Sequence, residues 1–341
     1  MQNYILRDEN AVYYECGFSC DNEIFLKLGS ESFFITDPRY TLEAEELAED
    51  VVVVEAKDDI VLAVVELIKD AGIKELHFDP KEWSVLDFDK LSCNLSIDFV
   101  QAKGFSQKKR IIKSTKEIEI IKQSVAYGAE AFDAFASYLR SDGINRSEKY
   151  LFFEAQSAFL KHGEFDLSFD PIIALNQNSA KPHALPTDKL LEKDTFLLLD
   201  AGLKYKRYCS DRTRCTSYDG DLSFSKEQTF KSNKHQKVYD TVLKAQEAAI
   251  KVSKAGVKAK DIDKAARDVI EKAGFGEYFI HSTGHGVGLD IHEEPFISKK
   301  SDTLIQEDMI FTIEPGIYLP DEFGVRIEDM VRVTDDGVEV L

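Results

Sequence analysis

The chain has few cysteines, fewer basic than acidic residues and no long apolar run. Its five cysteines among 341 residues are odd in number and show no paired C-x-x-C spacing, which argues against a disulfide framework and a structural zinc site. The 43 basic residues against 62 acidic ones give a net charge of −19, which argues against nucleic acids and anionic membranes as partners. No run approaches the roughly 18–20 apolar residues that a membrane span requires. We therefore predict no nucleic-acid partner and no membrane association.

The rest of the composition is that of a globular protein. Hydrophobic residues make up 43% of the chain, and its length suffices for one large domain or two smaller ones. The polar segment Met1–Asn10 lacks the apolar core of a signal peptide. Together with reduced thiols and an acidic charge balance, this favours a cytoplasmic location.

Two parts of the chain have different patterns. Residues 1–107 alternate short strand-like runs with helical patterns, which indicates a small α/β domain with a largely buried sheet. The basic stretch Lys103–Arg110 marks the predicted boundary, so that residues 108–341 form the second domain. The predicted strands of the first part are Ala11–Glu15, Glu23–Leu28, Ser32–Ile35, Val51–Glu55 and Glu75–Phe78, and the predicted helices are Leu42–Ala48 and Asp59–Ala71.

The second part combines long helical patterns with isolated strand-like runs. Ser114 and Glu117 have the spacing of a capping box, which predicts the start of a helix. The segment Tyr218–Lys234 is rich in Ser, Lys and Asp and predicts an exposed insertion. Further predicted helices are Glu148–Leu160, His235–Val252 and Asp261–Ala273, and the predicted strands are Thr195–Leu199, Met309–Ile313 and Val331–Thr334.

Four carboxylates and one imidazole in this second part have the composition of a two-metal hydrolytic centre. Such a centre holds two divalent ions about 3.5–4 Å apart with bridging carboxylates, and the ions acidify a shared water. The set suits Mn²⁺, Co²⁺ or Fe²⁺ better than an ion that prefers thiolates, and Zn²⁺ is also compatible. The five residues are Asp200, Asp211, His285, Glu314 and Glu328.

The local sequence around each residue adds to this interpretation. Asp200 directly follows three leucines, and a buried carboxylate is costly unless it is paired or bound to a metal; alone, it would equally suit a strand end that begins a turn. The spacing to Asp211 predicts a hairpin with both carboxylates on one face. Glu314 precedes Pro-Gly, which predicts a turn between paired strands that leads to Glu328. Glycines flank His285, so the backbone can approach a site closely.

With these motifs in order, the chain resembles the pita-bread metallopeptidases, in particular the Xaa-Pro branch of prolidase and Xaa-Pro aminopeptidase. Residues 110–341 resemble the catalytic domain, and the opening part, including Phe33–Tyr40, resembles the smaller creatinase-type N-terminal domain. The resemblance implies an α+β fold, an antiparallel sheet with flanking helices after a small α/β domain. It also implies a homodimer that hydrolyses the bond between an N-terminal residue and proline in small peptides.

The same resemblance implies a role for each site residue. Asp200 would chelate one ion, and Asp211 and Glu328 would bridge the two ions. His285 and Glu314 would be the remaining ligands of the second ion. Glu314 would also act as general base. The other implied roles are contacts with substrate by His183 and His292, a proline pocket lined by His281 with Tyr318 nearby, and orientation of the ligands by Thr213 and Arg326.

Two departures from the family pattern affect the rim of the substrate cleft. Ala174–Asn178 stands where the family often has a Ser-Gly pair before His183, and Lys181 replaces a small or apolar residue. A dipeptidase needs a cation to hold the product-side carboxylate, and Lys181 and Arg326 are the candidates; the sequence leaves dipeptidase and aminopeptidase open.

Three further alternatives share the fold, and one of them is not an enzyme. Methionine aminopeptidase has similar ligands but lacks the additional N-terminal domain. Creatinase shares the two-domain plan but has lost the metal ligands, all five of which are intact here. Some relatives retain the fold as a non-enzymatic scaffold that binds peptides or proteins, and those have lost ligands as well.

Overall fold

The computed structural model describes residues 1–218 and 222–341 and divides the chain into two compact units, Met1–Arg110 and Ile111–Leu341. None of the helices in these described ranges combines the length and apolar character that a membrane span needs. The assignment of the first unit as a creatinase-type domain stays a prediction.

The first unit is a six-stranded mixed sheet with helices on both faces. The strand order is β4-β3-β2-β1-β5-β6, with antiparallel pairs in the β1–β2–β3 meander and parallel pairs elsewhere. The strands are β1 Asn3–Leu6, β2 Glu23–Leu28, β3 Glu31–Thr36, β4 Val52–Glu55, β5 Glu75–Phe78 and β6 Asp98–Gln101, and the helices are α1 Glu9–Cys16, α2 Thr41–Leu47, α3 Ile60–Ala71, α4 Val85–Cys93 and α5 Phe105–Arg110.

One predicted strand of this unit is wrong. Ala11–Glu15 lies within helix α1, whose first turn is capped by the Asp8 side chain accepting from the Ala11 amide. The helix ends at Gly17 with φ 73°, a left-handed conformation that glycine adopts without strain. The caps at both ends stabilise the helix.

The second unit has antiparallel sheets flanked by long helices, as predicted. Helix α6 begins with the predicted capping box, in which Ser114 and Glu117 bond reciprocally. Helices α6 and α7 pack on one apolar cluster, and α8 and α9 pack on another. The helices are α6 Thr115–Asp142, α7 Glu148–Leu160, α8 Asn233–Val252 and α9 Ala259–Lys272.

All pairings between strands of this unit are antiparallel. The sheet orders are β11-β10-β7, β12-β9-β8, β14-β13-β15-β18-β19 and β16-β17. The strands are β7 Asp166–Leu167, β8 Ile172–Leu175, β9 Phe196–Ala201, β10 Leu203–Tyr205, β11 Tyr208–Cys209, β12 Arg212–Ser217, β13 Gly284–Gly286, β14 Glu293–Ile297, β15 Ile310–Ile313, β16 Gly316–Leu319, β17 Phe323–Arg326, β18 Asp329–Val333 and β19 Val338–Val340.

Strand β9 explains why three leucines precede Asp200. Leu197 and Leu199 belong to the cluster under α6 and α7, whereas Leu198 belongs to the cluster under α8 and α9. Because both faces of the strand are covered, all of its residues are buried, and the usual alternation with polar side chains is lost.

The predicted turn at Pro315–Gly316 is wrong. Strand β15 pairs with β18 and strand β16 with β17, so β15–β16 and β17–β18 form the two arms of one long antiparallel hairpin. Pro315 interrupts one arm because it has no amide hydrogen for a strand partner. The reversal of direction comes later, between Leu319 and Phe323.

The predicted exposed insertion at residues 218–234 is packed in part. Residues 219–221 lie outside the described ranges, but Leu222, Phe224 and Phe230 are all buried. The Phe224 ring lies 5.4 Å from that of Phe132 on helix α6. The polar composition concealed these widely spaced apolar anchors.

Removing the Phe224 ring should therefore destabilise the second unit. We expect Phe224→Ala to lower the free energy of unfolding by about 3–5 kcal/mol, because it leaves a cavity against helix α6. Urea denaturation followed by circular dichroism measures this. The matched control is Glu227→Ala at an exposed position of the same segment, with an expected change within about 0.5 kcal/mol. Equal effects of both changes would contradict the packed arrangement.

Candidate metal centre

Asp200 and Asp211 are brought together by two neighbouring strands. Asp200 is the second-last residue of strand β9 and is paired in register with Thr213 of β12, and Asp211 immediately precedes β12. The short strands β10 and β11 form the excursion between them. The two carboxylates therefore come from adjacent antiparallel strands, as the sequence predicted, although the connection is longer than a simple hairpin.

Glu314 and Glu328 lie at matching interruptions of the long hairpin. Glu314 follows β15, and Glu328 lies between β17 and β18 in the opposite arm. The side-chain amide of Gln246 on helix α8 holds both arms by donating to the carbonyls of Ile313 (3.0 Å) and Ile327 (3.3 Å). Gln246 is fully buried, so this bridge orients the residue before each glutamate.

His285 reaches the carboxylates from strand β13. Its Nδ1 lies 3.1 Å from the carbonyl oxygen of Gly286, and Nε2 lies 3.6 Å from both Asp211 Oδ2 and Glu314 Oε1. The strand passes very close to β15, because a Cβ atom at Gly284 would lie 1.9 Å from the Thr312 carbonyl oxygen. The glycine next to His285 is thus a packing requirement.

These side chains form a buried cluster with the donor set of a divalent-metal site. Ligand atoms of Asp211, His285 and Glu328 all lie within 4.8 Å of one another. Within the described ranges, Asp200 Oδ1 and Asp211 Oδ1 are buried without a hydrogen-bond partner. Buried carboxylate oxygens of this kind require a partner, and a cation supplies one. The residues therefore fit a divalent ion.

The pKa values of the carboxylates also indicate that the cluster requires a cation. Burial raises the pKa of Asp211 well above its usual value, and the carboxylates of Glu328, Asp200 and Glu314 raise it further. Burial likewise raises the pKa of Glu328, and it raises the pKa of Glu314 to about 8. The protein alone thus disfavours the negative charges that it collects here, and bound cations would reverse that preference.

Arg326 supplies the one guanidinium among the described residues of the cluster. Its Nη2 donates to Asp200 Oδ2 at 2.6 Å, and its Nε donates to the Thr213 hydroxyl at 3.0 Å. The Thr213 hydroxyl in turn donates to Glu328 Oε2 at 2.6 Å. Arg326 Nη1 lies 2.7 Å from the Tyr318 hydroxyl. The predicted orienting residues, Thr213 and Arg326, are therefore in direct contact with the cluster.

The cluster opens into a cavity of about 460 Å³ within the second unit. His183 and His292 line this cavity and are exposed to it, and the ring centroids of His292 and His285 are 4.4 Å apart. His281 also lines it and is bonded through Nε2 to the Tyr318 hydroxyl at 2.9 Å. The predicted site residues that line the cavity are Asp200, Asp211, His285, Glu314, Glu328, His183, His281, His292 and Arg326.

The sequence missed the buried polar residues behind the cluster. Asp329, next to Glu328, accepts from Arg214 Nη2 at 2.5 Å and from Gln246 Nε2 at 3.0 Å. It also pairs with Lys226, which comes from the insertion. The only signal for this network was the consecutive pair of acids at 328 and 329, and spacing alone does not locate its three partners.

Comparison with known sequences finds relatives along nearly the whole chain. A family model, metallopeptidase family M24, matches residues 119–335. The Xaa-Pro dipeptidase of Pyrococcus furiosus is 33% identical over 338 residues, which cover 97% of this chain and 90% of that protein.

Solved structures give the same result. The Xaa-Pro dipeptidase from Bacillus anthracis superposes with a TM-score of 0.91 at 34% identity, covering 99% of this chain and 92% of that one. The X-Pro aminopeptidase from Thermotoga maritima MSB8 has a TM-score of 0.88 at 33% identity, with 100% and 95% covered. These similarities confirm the predicted fold class and the predicted resemblance.

Neutralising one carboxylate should separate stability from metal binding. We expect Asp211→Asn to abolish tight Mn²⁺ binding while stabilising the metal-free protein, because it removes a charge that burial and the neighbouring carboxylates disfavour. Calorimetric titration with Mn²⁺ and thermal melting after chelation measure the two effects.

The matched control for this test is Asp170→Asn, which changes an exposed carboxylate of the same cavity. It should leave both quantities close to wild type. Wild-type Mn²⁺ affinity in the Asp211→Asn variant would contradict the metal site.

The Gln246 bridge should be needed for metal affinity. Gln246→Leu retains the approximate volume but removes both bonds to the hairpin arms, and we expect Mn²⁺ affinity to fall about 10–100-fold, as for residues that orient metal ligands. Glu247→Leu introduces the same side chain at the next, exposed position of helix α8 and should have little effect. Circular dichroism verifies folding of both, and unchanged affinity in a folded Gln246→Leu variant would refute the bridging role.

Proposed function

This chain belongs to metallopeptidase family M24, and we propose that it hydrolyses the amide bond between an N-terminal residue and a following proline in peptides. The observation that carries this proposal is the buried cluster of four carboxylates and His285, which opens into a cavity that also presents His183 and His292. The names of the relatives from P. furiosus, B. anthracis and T. maritima support the Xaa-Pro specificity.

Divalent metal ions are the cofactors that this family implies, and we propose that the site holds two. Asp200 would bind one, His285 and Glu314 the other, and Asp211 and Glu328 both. Mn²⁺ or Co²⁺ suits this oxygen-rich set best, and Zn²⁺ or Fe²⁺ is also compatible. When bound, the ions would supply Lewis acidity, which lowers the pKa of a water and polarises the scissile carbonyl.

The protein's own residues would then handle the protons. Glu314 lines the cavity as part of the cluster, and a ligand carboxylate can accept and return a proton through its second oxygen, as a general base must. His292 is exposed to the cavity and would donate to the oxygen that gains negative charge. The proline nitrogen carries no hydrogen, so its departure needs a proton, which His183 or Glu314 would deliver.

Arg326 would act by position. Its bonds to Asp200 and to the Thr213 hydroxyl hold two ligand carboxylates in place, and its bond to Tyr318 extends to His281 at the cavity wall. In this proposal His281 lines the proline pocket, and Tyr318 lies behind it with its hydroxyl bonded to His281 Nε2. The cytoplasmic location, the homodimer and the creatinase-type nature of residues 1–107 remain predictions from composition and resemblance.

Hydrolysis of matched tripeptides tests this function. Protein loaded with Mn²⁺ after chelation should release alanine from Ala-Pro-Ala and should not cleave Ala-Ala-Ala or Met-Ala-Ser at a comparable rate. His183→Ala should lower kcat about 10²–10⁴-fold, as expected for a proton-transferring group, with Mn²⁺ affinity unchanged because His183 lies outside the cluster.

Other outcomes would identify the competing functions. Preferred cleavage of Met-Ala-Ser would indicate a methionine aminopeptidase. A folded protein that neither cleaves any peptide nor binds Mn²⁺ tightly would indicate a binding scaffold.

A further inference from the structure

The cavity beside the cluster has an apolar and acidic wall. Phe296 and Leu185 are its most exposed apolar residues, with 41% and 80% of their surface accessible, and Phe152 and Phe169 also contribute to it. The charged residue of this wall outside the cluster is Asp170, whose carboxylate accepts only from the neutral amide of Gln156 at 3.1 Å among the described contacts. A negatively charged group on a substrate thus meets no compensating charge there.

Arg326 is the only lysine or arginine among the described residues that line the cavity, and each of its three guanidinium nitrogens already donates a hydrogen bond within the protein. Nη2 binds Asp200, Nε binds Thr213, and Nη1 binds Tyr318 and lies 3.3 Å from the carbonyl oxygen of Pro182. A guanidinium held by a buried carboxylate cannot turn towards a second one without leaving the first unpaired.

Lys181 does not replace it. The side chain is exposed, is absent from the cavity lining and donates to Asn178 Oδ1 at 3.1 Å. Among the cavity imidazoles, His281 is bonded at both ring nitrogens, to the Ser282 carbonyl oxygen and the Tyr318 hydroxyl. His183 and His292 are engaged with the reacting bond in the function proposed above.

Substrate length decides whether a carboxylate must enter this environment. In an Xaa-Pro dipeptide the free carboxylate belongs to the proline itself and so lies inside the cleft. A third residue converts that group to a neutral amide and moves the carboxylate outwards by up to about 3.3–3.6 Å per residue. Placing an unpaired carboxylate among apolar groups is strongly unfavourable, whereas an amide is far easier to accommodate.

We propose that this protein acts on Xaa-Pro peptides of three or more residues and discriminates against dipeptides, with Phe296 and Leu185 as specificity-determining residues at positions where a dipeptidase would need a cation. This inference rests on the proposed function and selects the aminopeptidase over the dipeptidase form of it.

Three substrates that share the Ala-Pro bond test the inference. They are Ala-Pro, its amide Ala-Pro-NH₂, which removes only the charge, and Ala-Pro-Ala. With Mn²⁺-loaded protein we expect kcat/KM for the amide and the tripeptide to exceed that for Ala-Pro at least 10-fold. Cleavage of Ala-Pro as fast as the other two would overturn the inference while leaving the Xaa-Pro function intact. No cleavage of any of them would overturn both.

Two variants test whether the lack of a cation in the cavity wall causes the discrimination against dipeptides. Phe296→Lys and Leu185→Lys each add a positive charge at an exposed wall position, and at least one should narrow the ratio of kcat/KM between Ala-Pro-NH₂ and Ala-Pro by 5-fold or more. Phe296→Met and Leu185→Met are the matched uncharged controls, in which the ratio should stay as in wild type. An unchanged ratio in both lysine variants would refute the electrostatic explanation.

Discussion

The structure of the second unit depends on the burial of four carboxylates around one point. Asp200, Asp211, Glu314 and Glu328 come from two pairs of strands that are far apart in the chain, and burial and mutual repulsion raise the pKa of three of them. Such a cluster is unfavourable on its own and becomes favourable when cations bind, so the rest of the unit must hold it rigid in the absence of any attraction between its members. The carboxylates that bind metal therefore lower the stability of the metal-free protein.

Rigidity comes from elements behind the cluster. The amide of Gln246 joins both arms of the long hairpin from helix α8, and Asp329 collects Arg214, Lys226 and Gln246 beneath Glu328. Lys226 belongs to the segment 218–234, which the sequence predicted to be an exposed insertion. Its ion pair with Asp329 connects this segment to the same network. The polar groups that orient the site are thus distributed over a helix, a strand and a connecting segment. Gln246 and Arg214 are buried, and both donate to the buried carboxylate of Asp329.

The carboxylate cluster also determines which charged groups remain available to a substrate in the cleft. The only guanidinium of the cavity within the described residues is committed to the carboxylate cluster, so it is withdrawn from substrate recognition. Relatives with similar folds are named both as dipeptidases and as aminopeptidases, which shows that this architecture by itself does not set substrate length. In this chain the wall residues Phe296 and Leu185 determine the length of the substrate. Because they are apolar, they leave the terminal carboxylate of a dipeptide without a partner.

Much of this protein was determined by short-range sequence features. The capping box at Ser114, the covered strand before Asp200 and the order of the carboxylate motifs each express local chemistry, so they predicted helices, strands and the members of the site.

Other features depended on distant partners. The break at Pro315 was mistaken for a turn because the sequence does not state which strands pair. Long-range packing likewise determines that Arg326 is bonded to Asp200, that Lys181 lies outside the cavity lining and that Gln246 bridges the hairpin arms. Only the tertiary structure could decide them, because a side chain's free donors depend on which neighbours the fold brings within hydrogen-bond distance.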